Sequence, residues 1–163
     1  MPPNLKIMEK SKIMKRLIYQ TMHAVLSIVV ALFFISKGYG KLNSEKLKPI
    51  EKNQIINTII ENNSYEAPVG YNIVMNTFKT SGFLDMISII QILLGILILI
   101  PITRLIGLLA LLPVIFNIFF MHVFFDNRID ENIETGILLL INIILLFYYK
   151  KIFKHALLKI ADN

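Results

Sequence analysis

Residues 82–125 read GFLDMISIIQILLGILILIPITRLIGLLALLPVIFNIFFMHVFF, in which Asp85 and Arg104 are the only charged side chains and Pro101 is the main interruption. A bilayer core about 30 Å thick takes about 20 apolar residues of helix at 1.5 Å each. The stretch therefore predicts two membrane spans, 82–100 and 102–125, joined as a helical hairpin by a tight turn around Pro101, Thr103 and Arg104. Backbone amides in hydrocarbon must bond within their own segment, so each span is expected to be helical.

Working outward, Leu17 to Ser36 predicts an earlier span and Ile133 to Tyr149 a later, slightly short one. The later span closes on Lys150 and Lys151, with Tyr148 and Tyr149 where an aromatic belt would sit. With 163 residues, 55% of them hydrophobic, and a mean hydropathy of +0.64, the chain has more apolar surface than a soluble domain of this length can hide. The first apolar run is too long for a signal-peptide core and lacks a small-x-small cleavage site, so it is expected to be retained. The expected fold is an all-α integral membrane four-helix bundle: a basic tail at 1–16, one four-span domain at 17–150 and a second basic tail at 151–163. No internal repeat or low-complexity segment divides it.

Loop charges set the expected orientation. One side gathers Lys6, Lys10, Lys12, Lys15, Arg16, Arg104, Lys150, Lys151, Lys154 and Lys159. The other holds the loop from Lys37 to Ser81, where Glu45, Glu51, Glu61 and Glu66 offset the lysines, and the acidic link with Asp126, Asp130, Glu131 and Glu134. The densely basic side is therefore cytoplasmic, with both termini inside. Ile55, Ile56, Ile59 and Ile60 recur at helical spacing in the long outer loop and predict an amphipathic helix there. Pro68 is placed to open a second short helix through Val74 and Phe78. These helices would cap the bundle or dock a partner.

The net charge of +6 lies beside apolar runs, which points to anionic lipid and away from nucleic acid. The absence of cysteine excludes disulfides, thiolate metal sites, cysteine-ligated clusters and dithiol redox chemistry by this subunit alone. No phosphate-binding glycine loop, nucleophile elbow or metal-spaced histidine pair is present, so the sequence carries no soluble-enzyme signature, names no catalytic residue and predicts no metal site.

Polar residues inside spans are costly and usually face protein, so each span has an expected inner stripe. The stripes are Gln20, His23, Ser27 and Ala31; Ser88, Gln91 and Gly95; Ala110, Pro113 and Asn117; and Thr135, Asn142 and Tyr149. Gln91, Asn117 and Asn142 lie near their span midpoints, level with Ser27, and are expected to meet. They would either fix helix packing, each amide contributing about 0.6 to 2 kcal/mol, or line a pocket for a quinone or another lipid-soluble ligand. His23 and His122 fall about 15 Å apart along the membrane normal, which prevents one haem iron from binding both. His122 would either pair with Asp85 as a titratable site at the outer mouth or make a plain interfacial hydrogen bond, and His155 is an interfacial residue. Gly95 and Gly107 permit close helix approach.

Three stretches carry a family resemblance: Ser36-Lys37-Gly38-Tyr39-Gly40-Lys41-Leu42 closing the first helix; Ser81-Gly82-Phe83 leading into Gln91-Ile92-Leu93-Leu94-Gly95-Ile96-Leu97; and Leu112-Pro113-Val114-Ile115-Phe116-Asn117 followed by His122. Over residues 17 to 150 the chain resembles the DoxX family of small bacterial membrane proteins. The resemblance implies a four-helix bundle in the bacterial cytoplasmic (inner) membrane and, for some relatives, association with redox complexes such as a thiosulfate:quinone oxidoreductase. It carries over no activity. Where many members have a carboxylate near the position of Gln91, this chain has an amide, which argues against proton transfer there. The richness in isoleucine, lysine and asparagine also fits an AT-rich bacterial genome.

The expected function is a subunit supporting a redox or quinone-linked complex, not catalytic alone, with Gln91, Asn117, Asn142, His122 and Asp85 as candidate ligand-binding residues. Expected partners are the lipid bilayer, a redox-complex protein and further copies of the chain. The alternatives are a non-enzymatic scaffold that docks a partner through its outer loop, or a small lipid-binding or transport protein.

Overall fold

The structure, a computed structural model, describes residues 3–43 and 69–161. These are all-helical apart from turns: α1 (Pro3–Leu42), α2 (Val69–Thr80), α3 (Phe83–Leu99), α4 (Arg104–Met121) running into a π-helical turn (His122–Asp126), α5 (Ile129–Phe147) and α6 (Lys150–Ala161). The isoleucine-rich segment expected to form an outer helix lies outside the described residues.

One core draws on four of these helices. It is built from Val30, Ala31 and Phe34 of α1, Leu94 and Ile98 of α3, Leu108, Leu111 and Ile115 of α4, and Leu138 and Leu145 of α5. The opposite faces are also apolar, with Leu32, Ile106, Phe116, Leu140 and Phe147 exposed. Two segments are long and apolar enough to cross a membrane, Glu9–Leu42 and Arg104–Asp126, with mean hydropathies of 2.0 and 2.3. A third is added if Val74–Thr80 and Phe83–Leu99, which meet at 82°, count as one broken span. By itself α3 has 17 residues, about 25 Å of helix, and α5 carries Asp130, Glu131 and Glu134 in its first two turns.

The α1–α3 contact depends on small residues. A Cβ on Gly38 would stand 2.8 Å from the Ser88 carbonyl oxygen, and one on Gly95 would stand 2.9 Å from that of Ala31. The two backbones thus approach more closely than any larger side chain permits. This changes the meaning of the Ser36–Leu42 stretch. The helix expected to close at Ser36 continues to Leu42, because Gly38 is buried against α3 and does not terminate α1.

The α3–α4 turn follows from Pro101. Its ring forces the preceding Ile100 into an extended conformation, with φ −81° and ψ 118°. Two side chains then satisfy carbonyls that the end of α3 leaves open: Thr103 Oγ1 donates to Leu97 at 2.8 Å and Arg104 Nε to Ile98 at 3.0 Å. Between α2 and α3, Gly82 adopts φ 79°, a left-handed conformation that disfavours other residues.

The two ends of the molecule differ chemically. At one, His23 stacks on Tyr148 with ring centroids 4.1 Å apart, meets Tyr149 edge-on and places Nε2 3.3 Å from the Leu145 carbonyl oxygen. At the other, where α1 finishes, charged side chains converge on Lys41.

Gly95→Leu is expected to cost about 2 kcal/mol through overpacking against the Ala31 backbone. Gly40→Ala, with nothing within 4 Å of its Cβ position, should be neutral or stabilise by up to about 1 kcal/mol. Unfolding midpoints of the detergent-solubilised variants check both.

Candidate functional site

At the Lys41 end a cavity of about 170 Å³ opens between α1, α3, the end of α4 and the start of α5. Its floor is apolar, from Phe33, Phe34, Ile115, Ile118 and Leu138, and its polar lining is Lys37, Lys41, Tyr71, Gln91, His122, Glu131, Glu134 and Thr135. Because α1 runs on past Gly38, its last turns carry two lysines over the opening. Lys41 Nζ donates to Gln91 Oε1 at 3.1 Å, and Lys37 Nζ lies 3.0 Å from Glu134 Oε1.

A second polar group borders the cavity. Asp126 is 1% exposed, a position a carboxylate occupies only when paired and hydrogen-bonded. Arg128 satisfies it with two bonds, Nε to Oδ1 at 2.8 Å and Nη2 to Oδ2 at 2.9 Å. His122 Nδ1 lies 2.7 Å from the same Oδ2. Asn127 makes this possible: it sits at φ 52° and its N–H reaches back to the His122 carbonyl at 2.6 Å, turning the chain so that Arg128 returns to Asp126. Asparagine tolerates that left-handed conformation better than most residues. Hydrogen bonding to Asp126 holds the Arg128 pKa above its ordinary value. The ring of Tyr71, on α2, lies 5.8 Å from that of His122.

The expected site residues separate into three groups. Gln91 and His122 line the cavity. Asn142 is fully buried elsewhere: its Nδ2 donates to the Leu108 carbonyl at 3.2 Å, and its Oδ1 has no partner among the described residues. Asn117 does not meet either amide. It is exposed on the outer face of α4, with Ala110 and Pro113, and its Nδ2 donates to its own helix at the Pro113 carbonyl, 2.8 Å away. That intrahelical bond satisfies the amide without a neighbour, so the expected inner stripe of α4 faces outward and Gly107, Leu108, Leu111 and Ile115 take its place. The carboxylate bonded to His122 is Asp126, where Asp85 was expected, and Asp85 is not part of the cavity lining.

Lys37 and Lys41 are additions to the expected site, hidden by ending α1 at Ser36, and Glu134 joins them from the acidic link. Asp126 had a readable signal, since it stands four residues after His122, the spacing of neighbours on one helical face. His23 and His122 occupy opposite ends of the molecule. Among the described residues no group of three or more histidine or acidic side chains could hold a metal ion.

No family model, curated protein or solved structure matches the chain.

Asp126→Asn is expected to lower stability by about 2 kcal/mol, by removing the charge from the bonds to Arg128 and His122. The exposed Lys37–Glu134 pair should contribute less than about 1 kcal/mol, as tested by Glu134→Gln. Unfolding midpoints of the two variants should separate accordingly.

Proposed function

We propose that the chain is a four-crossing integral protein of the bacterial cytoplasmic membrane, with both termini inside, and a DoxX-like subunit of a redox or quinone-linked complex. In this reading it holds the ring-shaped head of a lipid-soluble ligand, a quinone, in the cavity beneath Lys41. The observation that carries the reading is a polar cavity at the end of helices that are apolar on both their inner and outer faces.

Several features support four crossings. The shorter α3, about 25 Å of helix, and α5, about 28 Å, are long enough with modest bilayer thinning. The acids opening α5 would then lie at the outer interface. The basic residues around the His23 end agree with a cytoplasmic placement, and there Tyr19 stacks on Tyr148, which meets Tyr149 edge-on, at the level of an aromatic belt.

The size and donors of the cavity support a quinone. Apolar cavities of about 150 Å³ hold a benzene-sized ring, and this one is about 170 Å³. A quinone ring has two carbonyl oxygens, both acceptors. Lys41 offers N–H donors, and Gln91 keeps its amide N–H groups while its oxygen accepts from Lys41. With Nδ1–H donating to Asp126, neutral His122 presents Nε2 as an acceptor, which suits a hydroxyl of the reduced, quinol form of the ring. The apolar floor formed by Phe33, Ile115 and Leu138 suits the ring faces. A bound quinone would supply two-electron acceptor chemistry; this chain would bind and orient the ring and limit its contact with water.

Two measurements test the proposal. The chain has no cysteine, so single cysteines report topology directly: Asn63→Cys should react with an impermeant maleimide in intact cells, and Lys159→Cys only after permeabilisation. The opposite labelling would overturn the orientation. Purified protein should retain quinone and bind a short-tailed analogue, with Gln91→Leu and Lys41→Met each weakening binding about tenfold or more. No retained quinone, together with analogue binding that neither substitution changes, would overturn the ligand assignment.

A further inference from the structure

We propose that a second site, at the opposite end of the molecule, binds one anionic phospholipid of the inner leaflet, with an acyl chain along an apolar groove and the phosphate between Lys150 and Lys154. The groove has a volume of about 670 Å³ and is walled by Leu112 of α4, Ile143, Leu146 and Phe147 of α5, and Phe153 and Leu158 of α6, with Lys150 and Lys154 as its only charged lining. The volume lies within the range of about 300–1,000 Å³ usual for small-molecule sites.

Two observations point to an anion at the rim. First, Lys150 and Lys154 stand at i, i+4 on α6, a spacing at which like charges repel, and α6 contains no acidic residue. Neither lysine forms an ion pair among the described residues. An anion between them would relieve the repulsion. Second, the walls below the two lysines are wholly apolar, so the ligand must join a negative head to a hydrocarbon tail. Basic pockets beside spans on the cytoplasmic side have that chemistry.

Charge also argues against a second copy of the chain in the groove. At this end, among the described residues, a copy would bring the one acid Glu9 against Lys10, Lys12, Lys15, Arg16, Lys151 and Lys159. The inference rests on the membrane orientation above but not on the ligand of the outer cavity. Its failure would leave the quinone titration untouched.

Native mass spectrometry of the full-length protein in detergent, titrated with phosphatidylglycerol and with phosphatidylcholine, tests it. Phosphatidylglycerol should bind at least about tenfold more tightly. Lys150→Gln with Lys154→Gln should weaken it about 25-fold, about five-fold per lysine. Lys151→Gln with Lys159→Gln removes the same charge outside the groove and should leave the affinity within about threefold. Ile143→Trp, which fills the groove while retaining all the lysines, should also abolish tight binding. Equal losses in the two lysine pairs, equal affinity for the two lipids, displacement by inorganic phosphate, or a dimer that excludes the lipid would each overturn the proposal.

Discussion

Gly38 against Ser88 and Gly95 against Ala31 bring the backbones of α1 and α3 together at two points, spaced two helical turns apart on both helices. In lipid there is little hydrophobic gain from bringing helices together, so association depends on close packing and on hydrogen bonds. Glycine and alanine supply the first of these here, and the position of α1 follows from them. Because the helix remains against α3 beyond Gly38, Lys37 and Lys41 are carried over the cavity and Gln91 comes within reach of an ammonium group. A bulkier residue at Gly38 or Gly95 would move every α1 donor at that end together.

The charged groups around the cavity solve a related problem. Three cations, Lys37, Lys41 and Arg128, stand beside three carboxylates, Asp126, Glu131 and Glu134. Partly exposed groups such as the Lys37–Glu134 pair add little to stability. Asp126 is different, because its burial would be prohibitive without Arg128. His122, which lines the cavity, is therefore oriented by a carboxylate that is not itself part of the lining.

Much of this was legible in the sequence wherever polarity and size marked a buried face. His23, Ser27 and Ala31 on α1, and Ser88, Gln91 and Gly95 on α3, all turn inward, because their side chains are small or find partners inside. The same rule failed for Asn117, whose amide is satisfied by the Pro113 carbonyl of its own helix; a bond that local is invisible to reasoning about faces. Gly38 misled for another reason. Glycine both ends helices and lets them touch, and only the partner helix shows which role applies. The His122–Asp126 spacing was readable, but Asp126 reads equally as part of an acidic link, and it is the π-helical turn that keeps it within the helical path.

That π-helical turn has a consequence for how the sequence can change. From His122 to Asp126 the chain carries its hydrogen bond five residues back where an α-helix would span four, so one residue is held in reserve without interrupting the helix. Losing a residue there would restore ordinary winding and keep the rest of the helix in register, but His122 and Asp126 would stand three residues apart in place of four, which changes the geometry of their bond. The segment is thus a local length adjuster: a single deletion could leave the four-helix core intact while altering the charged group beside the cavity.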